Sequence, residues 1–331
     1  MRVDVRYTTP KGIGYHQGYT TLEGYFSHFF QNTWVPFADV RGHVFDNGKL
    51  AANAGTGMRY VSQSRVWGAS LYYDYRNAKR QHYNQISFDL ETLGKIWDFR
   101  MNGYLLVGDR QSHLFGVAFD SFRKNHMYLR AYRNFALGGM DAELGAHVDP
   151  FFFGIGPYYL KGNKETTNGG KARFSVDLFN SYIRLEANVA YDHFFKWTGQ
   201  GQVALNIPFG KSRKVKSNHC PPSDAEILYA RAIQPIIRNE IIPEGKKSLR
   251  RVAVDPATKT PYYFIFVDNT SSSLGTYESP YPNLQDAQLA SSPNSVIYVF
   301  PGNGDAYDTA YGTTAGMHFF CNFAVHKVSY S

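Results

Sequence analysis

Acidic and basic side chains recur two residues apart in several short segments of this chain. Asp39 precedes Arg41, Asp74 precedes Arg76, and Asp98 precedes Arg100. Side chains of both signs in close order can form ion pairs with one another or bind another charged segment. The chain contains no GxSxG, HExxH, P-loop or EF-hand pattern. We therefore expect ion pairing and binding from these charges, and we do not expect an enzyme.

Alternating sequence patterns indicate the elements that carry these charges. In RVWGASLYYDYR (65–76), Trp67, Leu71 and Tyr73 alternate with Asp74 and Arg76. Alternation with a period of two places the two sets on opposite faces of a β-strand. A soluble sandwich would expose the charged face, whereas an outer-membrane barrel turns its polar face to a wet lumen and its apolar face to lipid.

The composition favours the barrel. Aromatic residues make up 16% of the chain, and Tyr and Trp are enriched at membrane interfaces. Mean hydropathy is −0.38, and no apolar run approaches the length of a transmembrane helix. Barrels have such a polar composition because only alternate strand residues meet lipid.

Twelve segments of about ten residues show the alternation, and an even number of antiparallel strands can close without a free edge. They are 2–8, 21–30, 37–45, 51–62, 65–76, 83–92, 96–107, 139–148, 151–160, 171–179, 182–192 and 199–208. The predicted fold class is all-β: a 12-stranded antiparallel transmembrane β-barrel over residues 1–210.

The alternation predicts a set of charged residues that line the lumen. They are Asp39, Arg41, Arg59, Asp74, Arg76, Asp89, Asp98, Arg100, Asp141, Glu143, Arg173, Asp177, Arg184 and Glu186. His43 and His147 fall on the same face, where a solvated polar role is expected. Because both signs occur, the charges can pair across the lumen or bind a chain that passes through it.

Connections between the predicted strands differ in length on the two sides. Short ones such as SQS (62–64) and LGK (93–95) alternate with longer polar ones such as PKGIGYHQG (10–18) and KGNKETTNGG (161–170). Outer-membrane barrels have their short turns on the periplasmic side. The stretch 108–138 is predicted to be one long outward loop, with a hairpin above the membrane as one form of it. The alternatives are one extra strand (127–137), which gives thirteen strands, or two (113–122 and 127–137), which give fourteen.

Residues 211–251 form a predicted linker. Ser223 and Glu226 make a capping box that opens a helix over 223–234, which includes Arg231 and Gln234 and stops before Pro235. From composition alone, a helix in the lumen and a helix in solution are equally compatible with this segment. The basic run 211–216 predicts a solvated or headgroup-facing linker rather than a nucleic-acid site.

Residues 252–304 form a separate, incomplete unit, in which PYYFIFVDN and VIYVF predict strands and NLQDAQLA one or two helical turns. The two cysteines lie far apart and the eleven histidines are scattered. Neither pattern gives metal-ligand spacing, and no cofactor or metal is expected.

Several colinear stretches carry a family resemblance. They are GIGYHQGYTTLEGYF (12–26), VPFADVRGHVFDNGKLAANAGTGMRYV (35–61), VWGASLYYDYR (66–76), FRMNGYLLVG (99–108), GGMDAELG (138–145), RAIQPIIRNEII (231–242) and GTYESPYPNLQDAQLASSPNSVIYVFPGNG (275–304). Residues 1 to about 304 resemble inverse autotransporters, the intimin/invasin type of outer-membrane secretion protein. The likeness is greatest to versions in chlamydia-like bacteria and planctomycetes, whose passengers begin as right-handed parallel β-helices.

The resemblance implies that the chain after the last strand returns through the lumen. It implies that the helix 223–234 lies in the pore, and that the C-terminal passenger, an adhesin in full-length relatives, is displayed on the cell surface. Implied partners are outer-membrane lipid, the periplasmic chaperone and assembly machinery, and a host or neighbouring cell surface; no nucleic acid is implied. The family supplies no catalytic residues.

Two departures from the family pattern are expected to matter. The first residues read as a strand rather than a signal peptide, which suggests a fragment. The tail 305–331 does not resemble β-helix coils, which suggests a premature stop or frameshift. The rival interpretations are a diffusion porin and a soluble carbohydrate-binding β protein.

Overall fold

The computed structural model describes residues 1–31, 33–179, 181–209, 223–271, 274–293 and 295–303, and the backbone of 318–321. The first fourteen strands are β1 (Arg2–Thr8), β2 (Tyr19–Ser27), β3 (Trp34–Phe45), β4 (Leu50–Val61), β5 (Val66–Asn77), β6 (His82–Leu93), β7 (Trp97–Val107), β8 (Phe115–Arg123), β9 (His126–Ala136), β10 (Gly138–Val148), β11 (Phe151–Gly162), β12 (Glu165–Leu178), β13 (Ile183–Asp192) and β14 (Lys196–Pro208). The remaining elements are α1 (Asp224–Ala232), β15 (Glu244–Val252), β16 (Tyr263–Val267), α2 (Leu284–Leu289), β17 (Ser295–Val299) and β18 (His318–Cys321).

Twelve of these strands form a closed antiparallel barrel. Its order is β1-β14-β13-β12-β11-β10-β7-β6-β5-β4-β3-β2, and β1 closes the ring by pairing with β14 from Arg2↔Pro208 to Thr8↔Gln202. Closure satisfies every strand edge, as a hydrocarbon environment requires. The predicted fold class is confirmed.

The predicted strand limits agree with the observed ones to within three residues, except at the start of β12. That strand begins at Glu165 rather than at residue 171, and the turn before it contains only Asn163 and Lys164. Both turn residues have positive φ, 46° and 66°, as the first and second corner residues of a type I′ hairpin do. The long loop predicted at 161–170 is therefore wrong, and the difference in connection length between the two ends is smaller than expected.

The two faces of the barrel strands differ sharply in exposure. On β5, Trp67 and Leu71 are 54% and 56% exposed, whereas Tyr72 and Asp74 are each 1% exposed. The outer face of the barrel is rich in large apolar side chains, and the buried polar side chains lie inside. This is the facing pattern of an outer-membrane barrel, the inverse of a soluble β protein.

The stretch 108–138 contains β8 and β9, which pair with each other as an antiparallel hairpin from Phe115↔Tyr132 to Arg123↔His126. Neither strand is part of the barrel ring. The hairpin alternative is thus the observed one, and a barrel of thirteen or fourteen strands is wrong.

The chain divides into two compact units. The first comprises Met1–His113 and Asn134–Lys246, which contain the barrel and the segment 223–246. The second comprises Leu114–Arg133 and Lys247–Ser331. It therefore combines most of the β8–β9 hairpin with the C-terminal part of the chain.

The second unit contains a parallel sheet. Strand β17 pairs in parallel with β16, from Tyr263↔Ser295 to Val267↔Val299, and also with β18. The chain between β16 and β17 includes α2, at the position where a helical turn is predicted. A second sheet has the order β15-β9-β8.

The parallel pairing of His318–Cys321 with β17 is not anticipated from the sequence of the tail 305–331. The other residues of that tail, and the predicted basic linker 211–216, lie outside the described residues. None of the helices in the described ranges is long and apolar enough to cross a membrane.

Candidate functional site in the barrel lumen

The candidate site is the barrel interior together with residues 223–246, which we call the lumenal segment. All the charged residues predicted to line the lumen lie on the inner face of the strands. Most are nearly inaccessible to solvent. The exceptions are Asp177, Arg184 and Glu186, whose side chains are 26%, 18% and 13% exposed.

The lumenal segment begins with α1 at the end of the barrel where the β4–β5 and β6–β7 turns lie. Ser223 is the N-cap: its Oγ accepts a hydrogen bond from the Glu226 backbone N–H, and the Glu226 carboxylate accepts one from the Ser223 N–H, so the predicted capping box is present. Leu228 and Ala232 pack in an apolar cluster with the strand ends Val35, Val61, Val66 and Leu93.

The helix ends two residues earlier than predicted. Its last residue is Ala232 and its C-cap is Ile233, so Gln234 lies outside it. Gln234 precedes Pro235, and the proline ring disfavours the helical conformation in the preceding residue. Beyond this point the lumenal segment contains no further helix, and its backbone groups need partners from elsewhere.

Arginines of the barrel supply donors for the carbonyl groups of the lumenal segment. Arg59 donates to the Ala232 and Gln234 carbonyls at 2.9 and 2.5 Å. Arg41 donates to the Ile236 carbonyl at 2.8 Å, and Arg76 donates to the Ile242 carbonyl. These contacts do not depend on the side chains of the residues whose carbonyls they bind.

Charged side chains of the lumenal segment pair with opposite charges on the barrel. Arg231 pairs with Asp98, and its other nitrogen donates to the Gly94 carbonyl at 3.0 Å. Arg238 forms two hydrogen bonds with Asp74, at 2.9 and 2.6 Å. An ion pair removed from water is stable in place only when both charges keep their partners.

Glu240 connects the lumenal segment to the opposite side of the lumen. Its carboxylate pairs with Arg6, and with Arg41 at 3.2 Å, and accepts a hydrogen bond from the Tyr19 hydroxyl at 3.1 Å. Its carbonyl accepts a hydrogen bond from Asn53 at 2.9 Å. The segment is thus fixed to β1, β2, β3 and β4 at a single residue.

The far end of the lumenal segment lies at the opposite rim of the barrel. The Leu137 N–H donates to the Pro243 carbonyl at 2.9 Å, and the Glu244 N–H donates to the Gly14 carbonyl at 3.1 Å. Gly14 has φ +78°, and a Cβ atom there would lie 2.5 Å from the Glu244 nitrogen. The GIGYHQG stretch therefore forms a turn in close contact with the exiting chain.

One relay resembles the nucleophile, base and orienting group of a hydrolase. Thr21 Oγ1 lies 2.8 Å from His43 Nδ1, and His43 Nε2 lies 2.7 Å from Asn53 Oδ1. Thr21 is fully buried, and Asn53 also donates to Asp74 at 2.8 Å and to the Glu240 carbonyl. A substrate has no access to this threonine, so the relay contributes to binding the lumenal segment.

The lumenal segment leaves narrow spaces on one side of the lumen, lined by both polar and apolar side chains. Cavities of about 150 and 100 Å³ separate it from strands β12–β14 and β1; Lys171, Arg173 and Gln202 are among their lining residues. Spaces of this size with charged and polar groups in their walls can hold water. Within the described ranges, no group of three or more His, Cys, Asp or Glu side chains is arranged to hold a metal ion.

Several site residues are absent from the sequence prediction. Arg238 and Glu240 are the main ones in the lumenal segment; Arg6, Glu23 and Glu91 are further charged residues of the inner face. Arg6, Glu23 and Glu91 occupy inward-facing alternate positions of their strands, as the predicted residues do. The alternation could therefore have identified these three.

No protein-family model matches the chain, and no curated protein matches it. Solved structures do match. One, described as "Unveiling the Mechanism Behind the in-meso Crystallization of Membrane Proteins", aligns with a TM-score of 0.54 at 12% identity, over 75% of this chain and all of that chain.

Weaker likenesses include the KdgM porin and the calcium-bound dimer of the Salmonella typhi outer membrane phospholipase. The porin aligns with a TM-score of 0.36 at 9% identity, over 63% of this chain and 100% of its own. The phospholipase aligns with a TM-score of 0.38 at 10% identity, over 62% and 90%. At these identities similarity concerns the fold alone, and the fold is a closed twelve-stranded barrel of the outer-membrane type.

Proposed function

We propose that this chain is an outer-membrane translocator and anchor, which exports and displays its own C-terminal part. The observation that carries the proposal is the course of the lumenal segment, which runs from Ser223 at one end of the barrel to Glu244 at the other. A barrel for diffusing solutes has no need of a segment of its own chain along its whole lumen.

We infer the two sides of the barrel from its turns. Met1, the last residue of β14 and α1 share the end with the β4–β5 and β6–β7 turns, which in an outer-membrane barrel faces the periplasm. The chain leaves the lumen at the other end, so the residues after Lys246 start on the outer side. This arrangement agrees with the inverse-autotransporter resemblance and with a surface passenger, an adhesin by that resemblance.

Two kinds of contact suit two stages of export. The hydrogen bonds from Arg59, Arg41 and Arg76 to backbone carbonyls are available to any extended chain, because every residue has a carbonyl. The pairs of Arg238 and Glu240 require specific side chains at fixed positions. We infer that the first kind accommodates a moving chain and the second fixes its final position.

The apolar outer face supports location in the outer membrane, with lipid as the partner of residues such as Trp67 and Leu71. The proposal also assigns the chain a role in display rather than in catalysis. In this proposal the passenger recognises another cell surface, and the barrel needs assembly machinery to insert.

An epitope inserted in the exposed turn at Ala257 tests the export direction. The chain is produced behind a cleavable export signal, and an antibody is added to intact cells. We expect binding without permeabilisation. The matched control carries the same epitope at Gln63, in the β4–β5 turn, and should bind only after permeabilisation. A protected Ala257 epitope in a folded barrel would refute the proposed direction.

The diffusion porin stays the competing proposal, and the residual cavities beside β12–β14 are the observation that favours it. Conductance with and without the lumenal segment separates the two functions.

A further inference from the structure

The β8–β9 hairpin lies between barrel strands β7 and β10 in the sequence, yet Leu114–Arg133 belong to the same compact unit as Lys247 onwards. A hairpin surrounded by solvent would leave its apolar side chains exposed, because two strands alone cannot bury them. Here Met127 and Leu129 are 6% and 7% exposed, and they are packed among residues of the C-terminal part of the chain.

The parallel sheet has two apolar faces, because β16 (YFIFV) has no polar alternation. Ile265 and Val267 lie on one face, where they pack with Leu284 and Ala287 of α2 and with Ile297. Phe264 and Phe266 lie on the other face, buried to 6% and 0% exposure. The short segment with α2 covers only the first face, so the second needs a cover of its own.

The hairpin provides that cover. Phe122 has its ring centroid 5.1 Å from that of Phe264 and 4.9 Å from that of Phe266, both in edge-on geometry. Met127, Leu129 and Phe122 form one cluster with Phe264, Phe266 and Val296. Aromatic contacts of this kind add to the free energy of apolar burial.

The hairpin turn also binds the edge of β16, the outermost strand of its sheet. Asn125 Nδ2 donates to the Phe264 carbonyl at 2.8 Å and to the Gly275 carbonyl at 3.0 Å, and the Asn125 carbonyl accepts from the Phe264 N–H at 2.8 Å. An uncovered strand edge invites pairing with other chains.

The neighbouring residue Lys124 extends these contacts. Its N–H donates to the Glu278 carboxylate at 3.0 and 3.1 Å, and this hydrogen bond lowers the pKa of Glu278 from its usual value. Its carbonyl accepts from the Tyr277 N–H at 3.0 Å. The turn thus orders the chain between β16 and α2 as well.

We propose that the β8–β9 hairpin is an intramolecular scaffold for the C-terminal unit: it covers the aromatic face of the first parallel strand and the edge of that strand at Phe264, while Gly275 and Tyr281 pair with the same edge at Phe266. Residues 247–303 then fold stably only where the hairpin is present. Because β7 and β10 are barrel strands, folding of this part of the passenger is coupled to a barrel that is already assembled.

The contacts do not depend on the proposed export function; only the side of the membrane on which the scaffold acts rests on it. The test therefore uses the full chain refolded in detergent micelles, where no export occurs. Failure of surface display in cells would leave this result unaffected.

The test compares Phe122→Ala and Asn125→Ala with the parent chain. Chymotrypsin cleavage after Phe264 and Phe266 requires opening of the unit, because both are buried, and its rate follows the population of the open form. Heat-modifiable migration in SDS gels reports on the barrel separately. Phe30→Ala, at an exposed phenylalanine in the β2–β3 connection, is the matched control.

We expect cleavage to become about tenfold faster or more in both hairpin variants, with an unchanged barrel and an unchanged rate in Phe30→Ala. Rates within about twofold of the parent would overturn the proposal. So would loss of the folded barrel together with the C-terminal unit, since the hairpin would then support the barrel itself.

Discussion

Arg238 of the lumenal segment and Asp74 of β5 form a two-point ion pair inside the barrel. The Nη1–Oδ1 and Nη2–Oδ2 distances are 2.9 and 2.6 Å, and the two side chains are 0% and 1% exposed. The guanidinium also lies 4.5 Å from the centre of the Tyr72 ring. Because neither charge can turn to water, this pair fixes the register of the lumenal segment.

Arg238→Ala should lower the free energy of unfolding by about 3–5 kcal/mol, because it leaves the Asp74 carboxylate buried without its main partner. Replacing both residues by apolar ones, in Asp74→Leu with Arg238→Met, should restore only part of the loss, because the buried donors Asn53, Gln85 and Ser87 then lose Asp74 as an acceptor. Urea unfolding of the refolded chain in detergent, followed by tryptophan fluorescence, measures the parent chain and the two variants.

An ion pair on the protein surface provides the control for these substitutions. Lys95 and Asp224 lie 2.7 Å apart but are 55% and 68% exposed, so Lys95→Ala should change stability by about 1 kcal/mol at most. If Arg238→Ala cost no more than Lys95→Ala, the buried pair would not fix the segment.

Arg59 should be sensitive even to a conservative change. It donates to two carbonyls of the lumenal segment, to Glu91 at 2.6 Å and to the Tyr25 hydroxyl at 3.0 Å, a fork that lysine cannot reproduce. In Arg59→Lys we expect trypsin to cleave after Arg231 several-fold faster than in the parent barrel. The matched change Arg65→Lys, in the exposed β4–β5 turn, should leave that rate unaltered; equal rates in all three chains would contradict the assigned role of Arg59.

The barrel was predictable because the alternation of apolar and polar residues can be recognised within a single strand. A residue placed on the wrong face of the barrel would also cost a large free energy. A residue such as Leu71 or Asp74 has one acceptable face in a barrel with an apolar exterior. The start of β12 was not predictable, because Gly169 and Gly170 favour turns by local preference. Pairing with β11, through Pro157↔Gly170 and Tyr158↔Gly169, overrides that preference.

The site was predictable only in part. The alternation along the strands predicted that the charged side chains lie on the inner face of the barrel. It does not reveal which of these charges contacts which residue of a segment nearly two hundred residues away. Arg238 and Glu240 lie between pairs of isoleucines, and charges within so apolar a run need buried partners. That signal indicates that partners exist; only the closed fold identifies Asp74, Arg6 and Arg41 as those partners.

The two barrel faces should respond to opposite substitutions. Leu71→Arg places a charge on the outer face near the middle of β5, and should oppose insertion into a bilayer by about 2–4 kcal/mol. Asp98→Leu instead removes the acceptor shared by Arg100 at 2.9 Å, His147 at 3.0 Å and Arg231. It should destabilise the folded chain in any medium.

Refolding into phospholipid vesicles and into detergent micelles distinguishes these two effects. Leu71→Arg should lose folded yield mainly in vesicles, whereas Asp98→Leu should lose stability in both media. Equal behaviour of the two variants in the two media would contradict the facing of β5 and β7.

Removal of the lumenal segment should open the barrel to ions. With the segment in place, the spaces beside it are about 150 and 100 Å³, and we expect little conductance across a planar bilayer. A chain that ends at Phe209 keeps all twelve barrel strands and loses the segment, so its charged lumen should conduct measurably. A chain that ends at Arg251 keeps the segment and is the matched control, which should stay as closed as the full chain. If the full chain conducted as well as the chain ending at Phe209, the segment would not close the lumen, and a diffusion porin would become the better account of this barrel.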